Sequence, residues 1–186
     1  PVFATIEYIL FTGDKNILDI KTKYITGQEL ADGQDEKYDV YLPSDVLESI
    51  YDHCKKAIEK SLNFGEHGLP KIGSGDWNDG FSTVGNKGKG ESVWLRIFMY
   101  YILDNFIPIC EEKGDIELAN KYKMINLNLK KALNVVAWDG RWFKRAFMDD
   151  GNWLGSMDND ECRIDSIAQS WGVISNAADN DKKFIS

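Results

Sequence analysis

The chain of 186 residues is 43% apolar and 12% aromatic, an ordinary globular composition that can supply a sizeable core and argues against a disordered chain. A net charge of -8 without any basic block excludes a general nucleic-acid or anionic-membrane binder, since the Lys55-Lys56 and Lys130-Lys131 pairs fall inside amphipathic patterns and read as solvated faces. Cys54, Cys110 and Cys162 are odd in number and widely spaced, the usage of reduced thiols in a cytoplasmic protein with no structural disulfide.

The chain enters an apolar pattern directly after Pro1 and stops at Ser186 soon after a helical stretch, which is expected of a fragment incomplete at both ends. Residues 1 to 11 read as the tail of an amphipathic helix that Thr12-Gly13-Asp14 closes, followed by a short helical turn through Ile17 and Leu18. Periodicity then fails from Asp19 to Pro43, a stretch that is either a lid or a solvated connection; Tyr38 and Tyr41 keep the first reading open. Ser44 is predicted to cap a helix with the stripe Leu47, Ile50, Tyr51, Cys54, Ala57, Ile58 and Leu62, ending near Gly65.

The segment from Gly65 to Trp94 is the least helical part of the chain, and glycine recurs through it. Asp76, Trp77, Asn78 and Asp79 place two carboxylates, an amide and an indole within four residues. That is the chemistry of a sugar site: acids for protons, an amide for hydroxyls and an aromatic face for the pyranose ring. Ser92 to Cys110 is apolar nearly all round and predicts a helix buried on more than one side; Arg96, Asp104, Asn105 and Pro108 within it argue against a membrane span, and no signal peptide precedes it. Gly114 turns the chain, and Asp115 opens an amphipathic helix with the stripe Leu118, Tyr122, Ile125, Leu129, Leu133 and Val136. The two should form an antiparallel pair, as a toroid of paired helices or a plain bundle requires. Ala137 to Ser156, with aromatics around Asp-Gly signals, predicts a short hairpin-like excursion; Asp158 to Glu161 is acidic loop, and Ile164, Ile167, Ala168, Trp171 and Ile174 mark a last helix.

Four blocks are specific: Gly75-Asp76-Trp77-Asn78-Asp79-Gly80, Gly88-Lys89-Gly90-Glu91-Ser92-Val93-Trp94, Trp138-Asp139-Gly140-Arg141-Trp142-Phe143-Lys144-Arg145-Ala146-Phe147, and Cys162-Arg163-Ile164-Asp165-Ser166-Ile167-Ala168-Gln169-Ser170-Trp171. In this order the chain resembles the inverting glycoside phosphorylases of the cellobiose and chitobiose phosphorylase type, glycoside hydrolase family 94. It looks closest to the branch acting on β-1,2-glucans, including the phosphorylase-like domain of cyclic β-1,2-glucan synthases.

The resemblance implies an all-α fold, part of an (α/α)6 barrel with long glycine-rich loops, the whole chain being a piece of one catalytic domain. It implies inverting, phosphate-dependent cleavage of a β-linked glucan or disaccharide to α-glucose 1-phosphate, with inorganic phosphate as co-substrate and no cofactor. The catalytic acid maps onto Asp79, with Trp77 and Asn78 beside it; Trp77 and Asp76 are the neighbours expected to favour its protonated form. Phosphate is already an anionic nucleophile, so one acid suffices.

Asp76 reads as structural or as a hydroxyl acceptor. Arg145, Glu161, Arg163 and Gln169 either reach sugar hydroxyls or anchor loops, and Glu91 either contacts substrate or caps the helix after it. His67 reads as structural and His53 as a surface residue; neither has metal-ligand spacing, and no metal site is expected. The family's phosphate-binding arginine, histidine and threonine have no counterparts among the matched blocks. Two alternatives stay open: an inverting hydrolase on the same toroid, which needs a second carboxylate as base, and a catalytically silent sugar-binding fragment that self-associates through inner-helix residues such as Trp94, Phe98 and Tyr101.

Overall fold

A computed structural model describes residues 1–31, 33–34 and 36–183. The chain divides into two compact units, Pro1–Leu62 and Asn63–Ser186.

In the first unit, helix α1 (Val2–Thr12) buries Val2, Ile6 and Ile9 and is closed by Gly13 in the left-handed region at φ 72°, where glycine carries no steric penalty. A 3-10 turn, Lys15–Asp19, follows; it is capped by Asp14, which accepts from Asn16 N. Strands β1 (Lys21–Thr26) and β2 (Leu42–Ser49) pair antiparallel, from Lys21 opposite Ser49 to Thr26 opposite Leu42. Helix α2 (Ile50–Ser61) turns Tyr51, Cys54 and Ile58 inward.

Two expectations are corrected here. The stretch from Asp19 to Pro43 is not without regular structure, because its first part is a strand whose partner lies beyond the loop. The helix after it starts at Ile50 rather than at Ser44. The side chain that accepts the first free amide is Ser49, from Asp52 N at 3.1 Å, so residues 44–49 are released to pair with β1.

The second unit is built on α3 (Val93–Glu112) and α4 (Ile116–Ala132), joined by a turn through Gly114 at φ 79°. Ser92 caps α3 by accepting from Leu95 N. Ile97, Leu103 and Phe106 are fully buried, each contributing about 1.5–3 kcal/mol of transfer free energy. Their neighbours on α4 run in the reverse order: Arg96 donates to the carbonyls of Asn128 and Leu129, Asn126 donates to Asp104, and Phe106 meets Tyr122. The helices are therefore antiparallel, as expected. Burial pulls the Arg96 guanidinium down to about 10, partly offset by the Glu91 charge, so it stays cationic at neutral pH. Among the described residues α3 is long and apolar enough by composition to cross a membrane, and most of it is buried inside this unit.

The end of α4 widens into a π turn, Leu133–Ala137, where Asn134 accepts from Asp179 N and donates to the Ala177 carbonyl. This anchors α6 (Asn180–Lys183), which the sequence reading did not foresee. The expected hairpin is present as β4 (Ala146–Phe147) and β5 (Trp153–Leu154), turned at Asp149-Asp150-Gly151. It gains a third strand, β3 (Glu91–Ser92), immediately before α3. Helix α5 (Ser166–Ile174) is capped by Asp165. The fold is therefore largely helical, as expected, but among the described residues two small antiparallel sheets stand where an all-α reading allowed one excursion.

Candidate active site

The glycine-rich loop is ordered by side chains rather than by regular structure. Its first arm folds over Glu91, whose fully buried carboxylate accepts from His67 N at 3.1 Å, from His67 Nδ1 at 2.8 Å and from Leu69 N at 2.8 Å. A side chain on Gly65 would start 2.3 Å from Glu91 Cδ, so this close approach requires glycine. The His67 ring packs against Phe147 and Trp153 on the sheet, the structural role expected of it. Further along, Asp149 accepts from the amides of Lys87, Lys89 and Gly90; burial raises its pKa, but these bonds outweigh that and hold it below the usual carboxylate range.

The second arm is held by Asp76. Arg145 donates to it twice, Nη1 to Oδ2 at 2.8 Å and Nη2 to Oδ1 at 2.7 Å, and the two side chains are 1% and 0% exposed. Asp76 also accepts from Ser92 Oγ at 2.6 Å and from Asn78 N at 3.1 Å. Burial pushes the Asp76 carboxyl up, and the Arg145, Ser92 and Asn78 hydrogen bonds together overcome this and keep it below its ordinary value. Its charge is thus compensated by Arg145 instead of facing Asp79 bare.

Trp77, Asn78 and Asp79 follow on the outside of this anchor, all exposed, with Trp77 72% open. Asn78 Oδ1 accepts from Gly80 N, and Asp79 opens a 3-10 turn, Asp79–Phe81. These three residues form one wall of a cleft of about 630 Å³, with Arg145 at its base and Asp165, Ser166, Ser170 and Trp171 from α5 on the other side. Both indoles of the lining have aromatic neighbours: Trp171 stands edge-on to Trp94, Phe98 and Tyr101, and Trp77 lies 6.2 Å from Trp94 between ring centroids. Trp94, Phe98 and Tyr101, the inner-helix residues named for self-association, thus touch Trp171 within this unit, with Trp94 buried and Phe98 and Tyr101 half-buried.

Of the residues singled out from the sequence, Asp76, Trp77, Asn78, Asp79 and Arg145 come together at this cleft. Glu91 does not cap α3, because Ser92 does; it lies under the first arm of the loop. Gln169 is not among the residues lining the cleft and clamps Phe143, accepting from its N at 2.8 Å and donating to its carbonyl at 2.7 Å. Arg163 donates to the Met157 carbonyl, and Glu161 is exposed beside it in the loop before α5. Sequence reasoning missed Asp165, Ser166 and Ser170 as cleft residues. The signal was available: Asp165-Ser166 is a helix-start pattern, and Ser166 and Ser170 lie four apart, on one face of that helix.

An open acid lining a cleft with two indoles, Trp77 and Trp171, suits a sugar ring, and the relatives of this chain are named for sugar chemistry. The chain is 39% identical over 182 residues to the cyclic beta-(1,2)-glucan synthase NdvB of Rhizobium meliloti (strain 1021), covering 96% of this chain and 6% of that protein. It is 34% identical over 135 residues to the 3-O-beta-D-glucopyranosyl-beta-D-glucuronide phosphorylase of Paenibacillus borealis, covering 72% of this chain and 18% of that one. It is 30% identical over 177 residues to the cellobionic acid phosphorylase of Neurospora crassa, covering 94% and 20%. The chain thus spans between 6% and 20% of the length of these curated relatives. Residues 2–186 match the catalytic domain of the glycosyl hydrolase 94 superfamily, and the chain belongs to that family.

Proposed function

We propose that this chain is the acid-bearing part of a glycoside phosphorylase domain with an (α/α)6 helical ring, and that Asp79 is its general acid. The observation that carries the reading is the exposed Trp77-Asn78-Asp79 segment, which lines one cleft together with the indole of Trp171. The glycosidic oxygen of a β-linked glucan or disaccharide takes the proton of the Asp79 carboxyl as its bond to C1 breaks. A phosphate oxygen forms the new bond to C1 from the opposite face, giving α-glucose 1-phosphate and a sugar with a free hydroxyl, and Asp79 regains a proton from solvent. Trp77 offers its exposed face to the pyranose ring, and Asn78, Ser166 and Ser170 offer hydroxyl partners along the cleft.

The test is phosphate-dependent release of glucose 1-phosphate from β-1,2-glucan oligosaccharides and from cellobiose by the full-length protein, with and without Asp79→Asn. Activity that needs phosphate and collapses in the variant supports the reading. Activity untouched by Asp79→Asn sinks the site, and sugar release without phosphate replaces phosphorolysis by hydrolysis.

A further inference from the structure

The two residues that flank the Trp77–Gly80 segment meet the same side chain. Arg145 grips Asp76 through both of its terminal nitrogens, and its guanidinium carbon lies 4.5 Å from the centroid of the Phe81 ring. Asp76 and Phe81 immediately flank the Trp77–Gly80 segment, so the residues between them form a short bow strung across one cation. Its third nitrogen, Nε, faces Asp165 Oδ2 at 3.5 Å, an ion-pair contact with the residue that caps α5 on the opposite wall.

The main chain of Arg145 is fixed as well. Its N–H donates to the Leu154 carbonyl, its own carbonyl accepts from Val93 N, and Gly155 at φ 75° leaves no room for a side chain, since a Cβ there would sit 2.9 Å from Arg145 N. The guanidinium is therefore carried by the sheet and by the start of α3, while the groups it holds belong to the loop and to α5.

We propose that Arg145 is a positioning residue: it fixes the place of Asp79 by clamping Asp76 and Phe81 on either side of it. This rests on the role given above to Asp79. A planar fork with two directed bonds and a stackable face is needed, and lysine supplies a point charge only. The predicted consequence is that proton transfer suffers far more than sugar binding, because a displacement near 1 Å at a reacting group costs on the order of 100-fold in rate, whereas the exposed Trp77 face and the Asn78 amide tolerate such a shift at small cost.

The experiment uses the full-length protein and the variants R145K, D76N, D76N/R145K and D79N, measuring kcat and, without phosphate, the affinity for the sugar. The expected result for R145K is a kcat lower by roughly 10- to 100-fold with sugar affinity within about threefold of the parent. D76N cuts the same link from the other side, so the double variant is expected to be no slower than the slower single one. A kcat for R145K within about twofold of the parent, losses that multiply in the double variant, or an affinity that falls as far as kcat would each overturn the inference. Should R145K fail to fold, Phe81→Leu keeps the ion pair and removes only the aromatic face; a fall of roughly two- to fivefold in kcat supports the clamp, and an unchanged kcat refutes it. D79N separates the two levels: if it stays active the acid assignment fails, and if it is inactive while R145K is normal only the clamp does.

Discussion

Glu91 and Asp76 are both sealed from solvent and both collect donors from the glycine-rich loop, yet the segments they hold end in opposite states. Glu91 takes two main-chain amides and one imidazole from Gly65 to Leu69, so that arm closes on itself and packs onto the sheet. Asp76 spends most of its bonding on a guanidinium and a hydroxyl that belong to other elements, and only Asn78 N comes from its own arm. The residues after it are then held at their ends and open along their length. A carboxylate that binds consecutive amides builds a wall, whereas one that binds a distant cation presents what lies beside it.

That contrast is sharpest in what each arm should lose when cut. The largest effect is expected at the presented acid: Asp79→Asn should lower phosphorolysis by about 10²- to 10⁴-fold, the usual worth of a positioned general acid. Because Asp79 is exposed, the same variant should melt within about 0.5 kcal/mol of the parent in denaturant unfolding. Glu91→Ala should do the reverse. It leaves the amides of His67 and Leu69 without their acceptor in a buried place, and a loss on the order of 3 kcal/mol in unfolding free energy is expected. An unfolding midpoint unchanged by Glu91→Ala would mean that the first arm is held by something other than this carboxylate.

The sequence made one side of this design legible and hid the other. Asp76 to Asp79 could be read because they are contiguous, and α3 and α4 because Ser92, Gly114 and an uninterrupted apolar stripe mark them locally. The pairing of β1 with β2 could not, since it joins residues across a loop, and the Ser44-Asp45 and Glu48 signals imitate a helix start that the strand overrides. Glu91 looked like a cap because it precedes a helix; its real partners, His67 and Leu69, are brought to it by a chain reversal that has no periodic signature. Arg145 stood among candidates with two open roles, and only the contact with Asp76 across the fold distinguishes them.

A smaller effect is expected where the first arm has no room. Gly65→Ala places a methyl group 2.3 Å from Glu91 Cδ. That atom is the far end of a side chain, but three hydrogen bonds hold it, so it has little freedom to yield. The overpacking should cost about 1–3 kcal/mol in unfolding free energy and leave phosphorolysis, normalised to folded protein, unchanged. An equal loss of kcat in the folded fraction would show that the two arms are coupled.

The mildest distinction is in acid. The Asp76 carboxyl has a lower pKa folded than unfolded, because its hydrogen bonds to Arg145, Ser92 and Asn78 more than offset its burial. The unfolded chain therefore binds the proton more readily, and protonation favours unfolding. The stability that Asp76 contributes is present in full above its ordinary value of 3.8 and is lost as the pH falls below that, towards the folded value. Asp76→Asn should accordingly be less stable than the parent at neutral pH, and the gap should narrow only at pH values below 3.8. Urea unfolding of both proteins at neutral pH and at a series of pH values below the ordinary one measures this difference directly. A gap that stays constant through the acid range would mean that the Asp76–Arg145 contact owes its strength to two well-placed acceptor oxygens rather than to the carboxylate charge.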